Sequence, residues 1–146
     1  MSDKRLFGEI VSRETIERLE LFEALVLKWN PKINLISKGD VMRIWERHIL
    51  DSAQIFKYAD DPYSTWYDFG SGGGFPGLVC ATLSAEKRPT VAFHLVESDA
   101  RKAVFLRQAI AHLSVNATVH SQRIEVVDGG PADVISARAL APLSQL

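Results

Sequence analysis

At 146 residues, 47% of them hydrophobic and 24% charged, the chain is long enough for one domain with a real core and too short for two. Its net charge of −1 excludes a polybasic nucleic-acid binder, so any RNA contact must come from a local patch or from shape. A single cysteine, Cys80, excludes an internal disulfide framework and a CxxC metal site, and no metal is expected. No apolar run follows the start Met1-Ser2-Asp3-Lys4-Arg5, so no secretory leader is expected. The longest uncharged run, Phe69–Ala85, is rich in glycine and interrupted by Pro76, which rules out a membrane helix. A reduced cytoplasm is the expected location.

In chain order, Ser12 caps a helix with Glu14 in its first turn. Leu19, Phe22, Val26 and Trp29 at helical spacing predict an amphipathic helix over Thr15–Trp29, ended by Asn30-Pro31. Lys32–Gly39 is a connector whose Ile33, Leu35 and Ile36 should pack. Asp40 caps a second long helix reaching Tyr58, with Val41, Ile44, Trp45, His48, Ile49 and Ser52 on one face. Asp60-Asp61-Pro62 is a turn. The pattern then alternates. Strands are expected at Thr65–Phe69, Val91–Val96, Ala117–His120 and Asp133–Ala137. Helices are expected at Pro76–Ala85 and from Asp99, where Leu106, Ala109, Ile110 and Leu113 repeat at helical spacing. Strands separated by helices imply parallel units with right-handed crossovers. The expectation is an α/β fold: a helical segment, 1–62, packed on a Rossmann-like sheet, 63–146, as one structural domain.

The centre of the chain is Trp66–Gly77: a buried strand, an acid, glycines at 70, 72, 73 and 74, and a proline that suits the first position of a helix. Strand, glycine turn and helix N-terminus describe a nucleotide-type cofactor loop at the carboxyl end of a strand. Two registers fit. Gly72, Gly74 and Gly77, with Glu97 about 20 residues on, match a dinucleotide fingerprint. Asp68, Gly70, Gly72 and Gly74 match a loop with an acid at the strand end. Asp68 at the loop mouth would repel a pyrophosphate and attract the ammonium and sulfonium of S-adenosylmethionine. Glu97 would accept hydrogen bonds from ribose hydroxyls of either cofactor. A P-loop is excluded, because no Gly-Lys-Ser/Thr follows. S-adenosylmethionine is favoured over a dinucleotide.

Several stretches together resemble the bacterial small-subunit ribosomal RNA methyltransferase G family, also called glucose-inhibited division protein B. They are Lys28-Trp29-Asn30 through Asn34-Leu35, Glu46 to Ser52 (ERHILDS), Asp68 to Gly77, Arg101-Lys102 with Phe105 to Gln108 (FLRQ), Arg123-Ile124-Glu125, and Val134 to Ala139 (VISARA). The resemblance covers most of Lys28–Leu143. It implies a class I S-adenosylmethionine-dependent methyltransferase sheet and methylation of N7 of a guanine in 16S ribosomal RNA. The partner would be that RNA in the small ribosomal subunit or an assembly intermediate, met by a monomer away from any membrane. By motif match, Gly70 and Phe75 would line the cofactor, Ile124 and Glu125 would meet its adenine, and Arg138 would sit at cofactor and target base. Family members continue past this point, with strand order 3-2-1-4-5-7-6. This chain would supply 3-2-1-4, truncated at its C-terminus, with the fourth strand as an edge.

Guanine N7 has an in-plane lone pair and no proton, so no general base is expected. The protein's task is alignment and exclusion of water, with the guanine unstacked. Arg138 is the candidate positioning cation. His48, on the apolar face of its helix, reads either as a packed core histidine or as a catalytic contributor. Arg47 and Asp51, four apart, read as a surface pair. Glu125 reads equally as a solvated loop charge. Lys28, Lys32, Lys38, Arg43 and Arg47, with Arg101, Lys102 and Arg107, are the candidate RNA-facing cations. Two other functions fit the pattern: a non-catalytic ribosome-binding domain keeping the fold, and, behind it, an NAD-dependent oxidoreductase.

Overall fold

The computed structural model describes residues 4–6, 9–59, 62–124 and 131–137, with the backbone alone for 4–6, 9 and 10. A hairpin of β1 (Lys4–Leu6) and β2 (Glu9–Val11) opens the chain. Its strands are too short to announce themselves by alternation.

Helix α1 (Arg13–Ile33) begins where the Ser12 hydroxyl accepts from the Thr15 N–H at 3.3 Å. It does not end at Asn30-Pro31. Pro31 sits in the last turn, where its missing N–H costs one bond, and the helix closes at Asn34 with φ 51°. The Asn30 side chain then accepts from the Ile36 N–H at 2.8 Å, folding the connector back against the body.

The long helix expected over Asp40–Tyr58 is three pieces: a 3₁₀ turn (Lys38–Arg43), a π turn (Trp45–Ile49) and α2 (Leu50–Tyr58). Asp40 therefore lies inside a turn rather than at a cap. The Leu50 N–H reaches back five residues to the Trp45 carbonyl. This wide turn lets Ile44 and Ile49, five apart, both enter the core, with His48 left at its edge.

Strands β3 (Thr65–Phe69), β4 (Ala92–Val96), β5 (Ala117–His120) and β6 (Val134–Ala137) form a parallel sheet in the order β5-β4-β3-β6. This is the expected 3-2-1-4 arrangement. Tyr67 pairs with His94 on one side and Ile135 on the other. The intervening helices are α3 (Gly77–Lys87) and α4 (Ala100–Leu113). Pro76, expected as the first helical residue, stands just before α3 and follows a cis bond.

The core lies on the sheet face that carries Trp66, Phe93 and Leu95. Trp66 stacks between Phe56 of α2 and Phe93, at 6.3 and 5.0 Å between ring centroids. Phe22 of α1 meets Phe75 and Phe105 at 5.1 and 6.5 Å, tying the helical segment to the glycine loop and to α4. Each such ring, fully buried, contributes roughly 1.5–3 kcal/mol. On the opposite face Tyr67, His94 and His120 stack on one another, and Ile135 is 63% exposed.

Candidate functional site

Three glycines of the loop after β3 adopt left-handed backbone: Gly70 at φ 68°, Gly72 at 54° and Gly74 at 93°. This is the register headed by Asp68. Gly77, the last glycine of the competing register, is required for space instead. A Cβ there would lie 2.5 Å from Asp68 Oδ2 and 2.6 Å from Leu95 Cδ2. The loop is stitched to the end of β4, because the Gly70 and Ser71 N–H groups both donate to the Val96 carbonyl at 2.8 and 3.2 Å.

Asp68 is fully buried beneath the loop, not at its mouth. Its Oδ1 accepts from the Ser136 hydroxyl at 2.7 Å, and Ser136 in turn accepts from Trp66 Nε1 at 2.8 Å. Its Oδ2 has no well-aligned hydrogen bond and faces the start of α3 at Gly77. Burial pushes the Asp68 carboxyl up from 3.8 to about 6; the hydroxyls of Ser136 and Ser71 and the Gly77 N–H hold it down, and the Glu97 charge adds to the rise. The expectation that Asp68 would meet a cation directly is therefore corrected: its carboxylate lies beneath the loop, bonded to Ser136 of β6 and facing the start of α3. The missing signal was Ser136, whose place opposite Asp68 becomes visible only once β6 pairs with β3.

Glu97 does stand at the site. It lines a cavity of about 350 Å³ with residues 70–73 and Phe75. One of its oxygens accepts from the Gly72 N–H at 2.7 Å and the other from the Asp99 N–H at 3.0 Å. Each carboxylate oxygen has a second lone pair, so capacity for a ligand's hydroxyls remains. Gly74 lies under the loop, where a Cβ would come 2.7 Å from Phe22 Cζ.

The far wall comes from the connector and the π turn, through Leu35, Ile36 and His48. His48 Nε2 lies 2.9 Å from Asp40 Oδ2, and its ring rests 4.9 Å from that of Phe75. The histidine is thus packed at the edge of the core and lines the cavity. Burial raises the Asp40 carboxyl, but the hydrogen bond and charge of His48 outweigh this and leave it below its ordinary value. Ser98 and Lys102 complete the rim, Lys102 on the first turn of α4 that Asp99 caps. Sequence reasoning placed Lys102 among RNA-facing cations and missed its place here.

Ile124 is half-buried four residues beyond β5 and is not among the residues lining the cavity. Glu125 and Arg138 lie outside the described residues. Of the basic residues, Arg43 pairs with Glu46 at 2.8 Å. Cys80 is fully buried, as a small core residue, and burial pushes its thiol up. Among the described residues no group of three or more acids, histidines or cysteines is arranged for a metal, and no helix is long and apolar enough to cross a membrane.

A parallel sheet with a glycine loop leaving its central strand, and a cavity at the carboxyl ends beside the point where strand order reverses, defines an α/β fold built to take a nucleoside-type ligand there. Solved structures share this fold. A Plasmodium falciparum chain described as a protein-L-isoaspartate O-methyltransferase, in complex with S-adenosyl-L-homocysteine, superposes with a TM-score of 0.55 at 17% identity, over 90% of this chain and 69% of that one. A point mutant of MtNAS, in complex with S-adenosylmethionine, gives 0.52 at 17% identity, over 88% and 51%. At such identity the likeness establishes the fold alone.

Sequence comparison goes further. Residues 15–146 match the family model GidB, rRNA small subunit methyltransferase G, and the chain belongs to that family. It is 55% identical over 136 residues to the ribosomal RNA small subunit methyltransferase G of Cereibacter sphaeroides, covering 93% of this chain and 65% of that protein. It is 53% identical to that of Ruegeria pomeroyi, covering 93% and 66%. With that of a Ruegeria species it shares 51% identity, covering 100% and 71%. The chain thus spans about two thirds of the length of the curated relatives it matches.

Proposed function

We propose that the chain carries the cofactor half of an S-adenosylmethionine-dependent methyltransferase acting on N7 of a guanine in 16S ribosomal RNA, in the cytoplasm, on the small subunit or its assembly intermediate. The observation that carries the reading is the loop of residues 70–75 closed against Glu97 in a chain of the GidB family. The residues present fit the cofactor. Glu97 offers acceptor capacity for ribose hydroxyls, a Cβ at Gly72 would meet nothing nearer than the Gly70 carbonyl at 3.7 Å, and Phe75 supplies an apolar wall.

S-adenosylmethionine, when bound, supplies an electrophilic methyl group. The chain's own work is orientation. Guanine N7 needs no deprotonation, so neither His48 nor Glu97 is given the role of general base. Glu97 and the bare backbone at Gly70 and Gly72 would hold the cofactor. His48, fixed by Asp40 and Phe75, helps shape the face against which a flipped base is aligned. Arg138, Ile124 and Glu125 keep the roles that family resemblance gives them: a positioning cation for the first, adenine contacts for the others. The packing of Phe22 on Phe75 and Phe105 supports treating 1–62 and 63–146 as one structural domain.

The test is calorimetry with S-adenosylhomocysteine and, separately, NAD. Binding of the first and not the second is expected. A Gly72→Val chain should fold with its helices intact yet lose S-adenosylhomocysteine, because a β-branched residue is strained at φ 54°. Labelled methyl transfer into undermethylated small subunits, and not into unrelated RNA, tests the substrate. Tight NAD binding without S-adenosylhomocysteine binding would overturn the reading.

A further inference from the structure

A second cavity, of about 600 Å³, backs onto the glycine-loop cavity. The two share a wall, because Leu35 and Ile36 line both. The second cavity lies where α1 ends and the connector enters the 3₁₀ turn, between Asn30 and Lys38. Pro31, Leu35 and Ile36 give it an apolar lining.

Its polar groups are mostly neutral. The Asn30 side-chain oxygen accepts from the Ile36 N–H at 2.8 Å, which fixes the shared wall and leaves the amide NH₂ as a donor. The Asn34 carboxamide makes no hydrogen bond with any described residue and offers both a donor and an acceptor. No carboxylate lines the cavity, and Asp40, two residues beyond Lys38, is engaged by Ser37 and His48. The last carbonyls of α1 have no partner within the helix and carry the negative end of its dipole. They disfavour an anion inside the cavity and favour an amine donor. Lys38 is exposed at the rim and forms no ion pair with any described residue.

Two carboxamides, carbonyl acceptors and an apolar lining match the edge and the face of a nucleobase that carries an exocyclic amine. The backbone phosphate of such a nucleotide stays outside, where Lys38 meets it at the rim. Extrusion of a guanine unstacks its neighbours, and enzymes that take a base out of the stack read sequence context through the flanking nucleotides. We infer that this cavity is a subsite for one unpaired RNA nucleotide flanking the target guanine, with Leu35 and Ile36 as the partition between the two bases. The inference rests on the proposed RNA substrate. Asn34 then determines specificity as well as closing α1.

The test uses the full chain as wild type and Asn34→Gly, each checked by circular dichroism and melting. Glycine keeps the left-handed cap at φ 51° and removes only the carboxamide. Cytidine and uridine, alike in size but with and without an exocyclic amine, are titrated into each chain in the presence of S-adenosylhomocysteine. The side-chain amide signals of nitrogen-15-labelled protein report binding. In wild type, cytidine should shift the Asn30 and Asn34 amide signals, and uridine should bind at least about fivefold more weakly. In N34G that preference should vanish. Undermethylated small subunits should bind N34G at least about fivefold more weakly than wild type, with S-adenosylhomocysteine affinity unchanged. If wild type does not bind S-adenosylhomocysteine, the cofactor reading fails, while the cytidine comparison still decides the subsite. Weaker subunit binding by N34G without a cytidine preference in wild type would give the cavity to a protein of the subunit and overturn the inference. Equal subunit binding by the two chains, or no nucleoside binding by wild type, would overturn it as well.

Discussion

Asp68→Asn isolates what the buried carboxylate beneath the loop costs and holds. In the folded chain burial raises Asp68 from 3.8 to about 6. The native state therefore binds more protons than the unfolded state between these values. By linkage its contribution to stability is fully present below about pH 4 and is lost as pH rises through about 6. At about 1.4 kcal/mol per pH unit the whole effect is about 3 kcal/mol, and about 2 kcal/mol of it falls between about pH 4.5 and pH 7.5. Asparagine keeps the acceptor for Ser136 and cannot titrate. Urea unfolding of both chains across that range cancels the other titrating groups. The stability of wild type relative to D68N should fall by about 2 kcal/mol from the acid to the neutral end. A difference constant within about 0.5 kcal/mol would refute the reasoning, since it would mean that Asp68 titrates alike in both states. An Asp68 that lies beneath the loop also predicts that D68N keeps most of its S-adenosylhomocysteine affinity.

Ser136→Ala removes the hydroxyl between Trp66 Nε1 and Asp68 Oδ1. It should cost about 2 kcal/mol or more in urea unfolding at neutral pH and raise the Asp68 carboxyl further, steepening the loss with pH. Gly77→Ala forces a methyl against Asp68 and Leu95 and should cost about 1–3 kcal/mol, whereas Gly39→Ala, with nothing within 4 Å, should change the unfolding midpoint little. Ser12→Ala removes the α1 cap and its bond to Glu86, and should lower stability by about 1 kcal/mol in the same assay.

The sheet was legible because its strands are short, buried and punctuated, and right-handed crossovers then leave few orders to choose from. The loop register was legible from Asp68 and the glycine spacing. Two kinds of feature were not. The π turn at residues 45–49 uses the same apolar residues as an α-helix would, so a hydrophobic stripe cannot distinguish them. The extent of α1 turned on Asn34, a residue able to take left-handed backbone, outweighing the ordinary preference of the residue before Pro31. Charge alone also misplaced Asp68. Its sign suits a cationic ligand at any depth, and only the pairing of β6 with β3, which brings Ser136 alongside, reveals that the carboxylate lies under the loop.

Two acids therefore stand at one glycine loop. Asp68 lies beneath it, bonded to Ser136 of β6 and facing the start of α3, while Glu97 grips it from the side through the Gly72 N–H. Neither contact needs a ligand, so the left-handed glycines are already held in place. A ligand entering the cavity is then spared the cost of ordering the loop, and more of its contact energy appears as affinity. The double role of Glu97 follows from the same geometry. Its removal takes away a ligand acceptor and releases the loop together, so Glu97→Ala should weaken S-adenosylhomocysteine more than the loss of one charged hydrogen bond, about 1.5–3 kcal/mol, would alone. Glu97→Gln retains an acceptor for Gly72 and should fall between E97A and wild type. Equal affinities of E97Q and E97A would show that Glu97 serves the ligand through its charge alone and that the loop holds itself.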